Sequence, residues 1–534
     1  MWAWGWREKF PDDAARAGLS QLARVLVPHA VTALRPLPPD EPEVPVPTVS
    51  IPEALAAFSS QAPRDRAMRS RGRAFPDLVL GFANDFAGAP AVVCRPRDDA
   101  EVARVLEIAG ERAWAVVPFG GGTSVVGGVD SALAQGDRPA VISLDLGAIA
   151  GVREVDVTSR LARIGAGTLG PALEDELEAH GLTLRHYPQS FEFSTLGGWL
   201  ATRAGGHYAT GPTRIDEHVH AITMVTPRGT LTTHRHPGSG AGPEAQRLVL
   251  GSEGALGVIT EAWMRVVPRP RWRATASVAY QDFAQAVAAA KALAQSGLAP
   301  SNARVLDANE ARLHRVRFDG TSVLLIGFES ADHPLSAWLA RAVELAKDHG
   351  GELVSGPSEA DEATRTGAAG AWRQAFFDAP YLQSALLSIG VLSDTFETAC
   401  TWTQFPELHA KVTSAVQRVL DEECGGGIVA CRFTHLYPDG PAPYYTFVGP
   451  LRAGGELAQW RALKTAASEA LTAAGGTITH HHAVGRTHRP WYDRERPPLF
   501  ADALRSVKRD LDPHGVLNPG VLIDELSARP LRRP

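Results

Sequence analysis

Pro118-Phe119-Gly120-Gly121-Gly122-Thr123-Ser124-Val125 follows an apolar run, Ala113 to Val117, that reads as a buried strand. A strand running straight into three glycines brings backbone close to something. Glycine tolerates positive φ and carries no Cβ, so successive N–H groups can converge on an anion, and Thr123 and Ser124 add hydroxyl donors. Phosphate is the anion such a loop suits, with a plain turn as the alternative.

Around this loop, Ala91 to Cys94 and Val141 to Leu144 read as strands, and Asp98 to Arg112 as a helix. Helix and strand signals interleaved in this way indicate an α/β or α+β unit. Gly165-Ala166-Gly167-Thr168-Leu169-Gly170 precedes an Asp/Glu-rich amphipathic helix and matches half of a dinucleotide fingerprint. In Tyr187-Pro188-Gln189-Ser190 and then Ser194-Thr195-Leu196-Gly197-Gly198-Trp199-Leu200-Ala201-Thr202, hydroxyls and glycines alternate as a cofactor-lining loop needs. Gly251-Ser252-Glu253-Gly254-Ala255-Leu256-Gly257-Val258-Ile259-Thr260 leads small residues into another strand.

The chain has 534 residues, more than one core usually spans, so several domains are expected. Residues 1–88 carry helical patches and a proline-rich connector, Pro36 to Pro52. Residues 89–268 form the glycine-loop unit, ending at Pro268-Arg-Pro-Arg-Trp272. Residues 269–496 hold helices at 282–296 and 335–349 between strands such as Ser322 to Phe328, a pattern that builds an antiparallel sheet covered by helices. Residues 497–534 contain a helix, Leu499 to Leu511, and a turn-rich passage, Asp512 to Gly520.

Apolar residues make up 44% and charged ones 21%, and the formal net charge is −6, which leaves no electrostatic footprint for nucleic acid. Cys94, Cys400, Cys424 and Cys431 lack metal-ribbon spacing and suggest reduced thiols, hence a cytoplasmic setting. No apolar run approaches the ~20 residues that span a bilayer. Arg7, Glu8 and Lys9 stand where a secretion signal would be apolar. Trp2, Trp4 and Trp6 could touch lipid, or pack on the main body.

Three features outside the glycine motifs carry chemistry. On an extended backbone His480 and His482 face one side and His481 the other, so one metal could not easily take all three, and no metal is expected. The triplet reads either as a polar loop of titrating groups or as part of a site. Arg432, in the apolar strand Ile428 to Phe433, requires an anion, either a structural carboxylate or a substrate phosphate or carboxylate. Tyr444 and Tyr445, after Pro441-Ala442-Pro443, fit an edge strand, where tyrosine is ordinarily a packing residue.

The order GGGTS, STLGG, GSEGALGVIT and a closing LDPHGVLNPG resembles the FAD flavoproteins of the vanillyl-alcohol oxidase and D-lactate dehydrogenase type. The resemblance implies an α+β fold: a two-subdomain, PCMH-type FAD-binding domain, a cap domain with an antiparallel sheet covered by helices, and a C-terminal segment returning to FAD. It assigns the pyrophosphate to Gly120, Gly121, Gly122, Thr123 and Ser124, beside Pro118. The rest of FAD falls to Pro188, Ser190, Ser194, Thr195, Gly198, Thr202, Glu253, Gly257 and Ile259. The first loop has no histidine to tether a flavin, so FAD is expected to be noncovalent.

Within that group, Trp4-Gly5-Trp6, Trp199-Leu200-Ala201-Thr202-Arg203, Val225-Thr226-Pro227-Arg228-Gly229, Phe396-Glu397-Thr398, Cys431-Arg432-Phe433-Thr434 and His480-His481-His482-Ala483-Val484-Gly485 resemble the alkyldihydroxyacetonephosphate synthases. The resemblance implies exchange of the acyl chain of acyl-dihydroxyacetone phosphate for a fatty alcohol. Tyr444, preferred over Tyr445, and the loop of His480, His481 and His482 would move protons, while Arg432 and Arg304 would hold anionic groups. A surface salt bridge is the alternative for Arg304. An FAD oxidase or dehydrogenase of a 2-hydroxy acid or alcohol is the rival.

Two stretches depart from the animal synthases, which carry lysines there: Gly205-Gly206-His207-Tyr208-Ala209-Thr210-Gly211 and Arg486-Thr487-His488-Arg489. The chain ends Leu531-Arg532-Arg533-Pro534, which is not a peroxisomal address. The expected partners are a small-molecule or lipid substrate with an anionic group, a second copy in a homodimer, and a peripheral membrane surface.

Overall fold

Asp98 starts the helix Asp99–Arg112 by accepting the Glu101 N–H, and Ala113 ends it in the left-handed region at φ 54°. That cap delays the following strand, which spans Ala115–Phe119 rather than beginning at Ala113. In this computed structural model, residues 4–27, 34–208, 210–359 and 367–523 are described. Trp2, Ala209 and the terminal Leu531 to Pro534, all singled out in the sequence, lie outside them.

Ala115–Phe119 runs parallel to Val141–Asp145, which runs parallel to Val92–Cys94, and Val92–Cys94 pairs antiparallel with Ser59–Ser60. A second, antiparallel sheet has the order Val152–Asp156, Leu161–Gly165, Val258–Arg265, Val219–Thr226, Gly229–Thr232. Every residue of Val219–Thr226 is buried, because both faces of that strand are covered. The glycine loops around Gly121, Gly198 and Gly254 line one cavity.

The third sheet has seven antiparallel strands, in the order Glu352–Glu359, Trp272–Tyr280, Ser322–Ser330, Asn302–Leu306, Ile428–Leu436, Pro441–Pro450, Val391–Glu397. Helices Phe283–Gln295, Ser336–Asp348, Phe405–Val419 and Glu456–Ala473 contribute to one core with it. Side chains alternate across a strand. Ala303, Val305, Cys431, Phe433, Tyr445 and Phe447 therefore join that core, while Arg304, Arg432, Thr434, Tyr444 and Thr446 line the cavity on the other side.

Tyr444 and Tyr445 do not lie on an edge strand. Pro441–Pro450 is paired on both sides, with Ile428–Leu436 and Val391–Glu397. Pro441 and Pro443 are tolerated because they sit at its first residues, where the ladder already shifts register between Phe433 and His435.

The end of the described chain returns to the first sheet: Val116 N donates to Val516 O and Asn518 N donates to Val116 O, both at 2.8 Å. At the other end the tryptophans divide. Trp4 is buried and donates through its backbone N–H to Ser384 Oγ, whereas Trp6 is 55% exposed and donates through Nε1 to Glu192. Among the described residues no helix is long and apolar enough to cross a membrane.

Candidate active site

A Cβ on Gly121 would lie 1.7 Å from Phe193 O, and Gly122 holds φ +66°, so the loop after Phe119 accepts only glycine at these positions. Among the described residues, the N–H groups of Gly121, Gly122, Thr123 and Ser124 donate to no protein acceptor. Converging free donors of this kind form a nest for an anion.

The loop borders a cavity of about 710 Å³. Pro118, Gly120, Gly121, Gly122, Thr123, Ser124, Pro188, Ser190, Ser194, Thr195, Gly198, Thr202, Glu253, Gly257 and Ile259 all line it. The donor set fits FAD: the free N–H groups of Gly121 to Ser124 and the hydroxyls of Thr123 and Ser124 stand at the nest, and the one carboxylate beside it, Glu253, is spent on backbone N–H groups. Glu253, half-buried and pushed up to about 7 by desolvation, accepts Val484 N at 2.9 Å and Gly485 N at 2.7 Å. Beyond lining the cavity, it fastens the histidine loop to the glycine unit.

On the far wall, Arg432 and Tyr444 are cross-strand partners in the ladder. The guanidinium stacks over the phenol ring, 3.8 Å from its centroid, and pairs with the fully buried Glu310. Arg432 thus has the structural carboxylate that the sequence left open, and it still faces the cavity. Burial raises Glu310 most, but Arg432 and then His314 hold it down at about 2.

Arg304 is 0% exposed, which overturns the surface salt bridge considered for it. It donates to the carbonyl of His207, and burial, then Arg432, lowers it to about 9. Tyr444 donates to Thr395 Oγ1 at 2.9 Å, and burial raises it to about 12 against the pull of Arg432. Tyr445 points the other way, stacked on Phe396 with ring centroids 4.8 Å apart.

The histidine triplet is not extended. Its backbone turns around Glu397, whose Oε1 accepts from His480 N (3.1 Å), His481 N (2.6 Å) and His482 N (2.5 Å). His481 and His482 line the cavity, but His480 is turned behind its wall, with Nε2 2.7 Å from Tyr437 Oη. Burial lowers His482 to about 3 and His480 and His435 well below the ordinary imidazole value, so these rings are neutral near pH 7.

His435, His480 and His481, and separately Glu397, His481 and His482, bring ligand-capable atoms within 4.8 Å of one another. In each group ring nitrogens are already engaged by Glu397, Tyr437 or Gly206 O, so the cluster reads as a hydrogen-bond network.

Sequence reasoning did not assign roles to Glu397, His435 or Lys464. Glu397 stood in the sequence only as part of a motif, and its partners lie more than eighty residues away. Lys464 shares the buried face of its helix, Glu456–Ala473, with Leu463, Ala467 and Leu471. Of the two departing stretches, Gly205 and Gly206 line the cavity, whereas Arg486 is tied to Gly127 O and Pro519 O.

The cavity has a second arm. Leu19, Ala23 and Val27 of the first helical segment, Leu386 of the helix Gly367–Ser388, and Val391 and Val448 form apolar walls that continue from the Tyr444 face.

Residues 90–235 match the family described as FAD binding domain, and residues 269–522 the one described as FAD linked oxidases, C-terminal domain. An alkyldihydroxyacetonephosphate synthase from Dictyostelium discoideum is 28% identical over 490 residues, 87% of this chain and 78% of that protein. The glycolate oxidase subunit GlcD of Bacillus subtilis is 25% identical, over 82% of this chain and 89% of its own length. A solved alkyldihydroxyacetonephosphate synthase superposes with a TM-score of 0.78 at 24% identity, covering 98% of each chain.

Proposed function

Because this chain is an FAD-binding flavoprotein of the vanillyl-alcohol oxidase type, we propose that it exchanges the acyl chain of an acyl-dihydroxyacetone phosphate for a fatty alcohol, giving an ether-lipid precursor. The observation that carries this reading is the apolar arm. Leu19, Ala23, Leu386 and Val391 pack on one another and border apolar space; a small polar 2-hydroxy acid makes no use of that space, while an acyl or alkyl chain fills it.

Bound FAD would supply, when reduced, a nucleophilic ring nitrogen. The glycine loop would hold its pyrophosphate. Arg432 and Arg304 face the substrate head and favour its negative charge in a site shielded from water. Tyr444 Oη gives and recovers the proton of the leaving and entering oxygens. His481, with Nδ1 engaged by Glu397, keeps Nε2 for the same relay.

The reading includes an anionic head group, a homodimer, a cytoplasmic setting and peripheral membrane contact, through which a long-chain substrate would arrive. Incubation of the holoenzyme with acyl-dihydroxyacetone phosphate and labelled fatty acid tests it. Exchange of label without net flavin reduction, followed by ether formation on adding fatty alcohol, is expected. Absence of both, with rapid flavin bleaching by 2-hydroxy acids, would replace it with a dehydrogenase, the activity class to which the GlcD similarity points.

A further inference from the structure

Lys464, in the helix Glu456–Ala473, is only 6% exposed and lines the cavity. Its Nζ donates to Thr395 O at 2.7 Å, and Thr395 Oγ1 accepts from Tyr444 Oη at 2.9 Å. The ammonium and the phenol therefore meet at one residue of the wall.

An ammonium has three donors, and Thr395 O is the one acceptor for Nζ among the described residues. The carboxylates nearby are committed elsewhere. Asp394 accepts Trp460 Nε1 at 2.6 Å, and Glu397 accepts the histidine loop. Burial pulls the Lys464 ammonium down, while Asp394 and Glu397 act back on it as more distant charges. A buried cation with spare donors is costly until an anion reaches it. Glu310 and Glu397, the fully buried acids of this wall, already serve Arg432 and His481, and the half-buried Asp394 accepts from Trp460 and Gln383, so among the described residues no carboxylate is hydrogen-bonded to the ammonium.

We propose that Lys464 is a specificity-determining residue that binds an oxyanion of the substrate head, a phosphate monoester. The proposal deepens the function given above and rests on it for the identity of the substrate, but it is tested without turnover.

The FAD-loaded protein is titrated with inorganic phosphate and with glycerol 3-phosphate, and flavin absorbance reports binding. Both ligands are expected to bind the wild type saturably and Lys464→Met at least tenfold more weakly, with Lys464→Arg recovering part of the loss. Lys464→Gln keeps a donor for Thr395 O, so it separates a folding defect from a binding one. Phosphate binding unchanged in a fully flavinated Lys464→Gln overturns the proposal, as does acetate binding where phosphate does not. Loss of ether synthesis with Lys464-dependent phosphate binding intact would instead sink only the proposed reaction.

Discussion

His481 Nδ1 lies 2.6 Å from Glu397 Oε2, while Oε1 of the same carboxylate takes the backbone N–H groups of three successive histidines. One buried acid thus sets both the path of the loop and the nitrogen that His481 presents to the cavity. Burial raises Glu397 most, yet His481 beside it holds it well below its ordinary value of 4.5.

A depressed carboxylate stabilises the fold above its unfolded pKa, and this contribution is lost as pH falls from about 4.5 towards the lower folded value. Glu397→Gln is expected to cost about 3 kcal/mol near pH 7, with the gap to wild type narrowing below pH 4.5. Thermal melts from pH 3 to pH 8 measure it. A gap independent of pH would reject the ion pair.

Tyr444→Phe is expected to lower turnover by roughly 100-fold or more, the usual weight of a general acid–base group, with FAD retained. Tyr445→Phe, whose lost hydroxyl meets His409 Nδ1 and Cys431 on the side away from the cavity, should leave turnover near wild type. Steady-state rates on flavin-matched samples decide between the two tyrosines.

Arg432→Ala would leave Glu310, which is 0% exposed, with His314 alone as its partner. Removing one member of a buried pair costs about 3–5 kcal/mol, so the variant should lose stability as well as substrate affinity. Adding Glu310→Gln should recover much of the stability and none of the affinity. Denaturant melts of both variants provide the test.

Gly121→Ala places a methyl against the Phe193 carbonyl. The loop must shift, and the protein is expected to purify with little flavin, read directly from its visible spectrum.

Ala23→Trp fills the apolar arm, which Ala23 lines from the first long helix. Activity with long acyl chains should fall at least tenfold while short chains are spared, and an equal loss at every chain length would place the chain elsewhere.

The sequence made the glycine loops legible because their chemistry is local. A strand end, three residues without Cβ and two hydroxyls occupy consecutive positions, and the same holds for the helices and strands from Val92 to Asp145. The far wall was legible only as residue types. Arg432 announced that it needed an anion, since a guanidinium among apolar neighbours must have one, but Glu310 lies 122 residues earlier in the chain. The histidine triplet was misread as extended because the carboxylate it wraps lies over eighty residues away.

By itself, the sequence determined the cofactor-binding unit and the inventory of charged and aromatic candidates, since backbone freedom and side-chain chemistry are properties of short segments. Only the tertiary structure decided which face each candidate takes. The two-residue alternation of a strand paired on both sides sends Tyr444 to the cavity and Tyr445 to the core, it lets Glu397 gather the histidines, and the packing of one helix turns Lys464 from solvent towards the site.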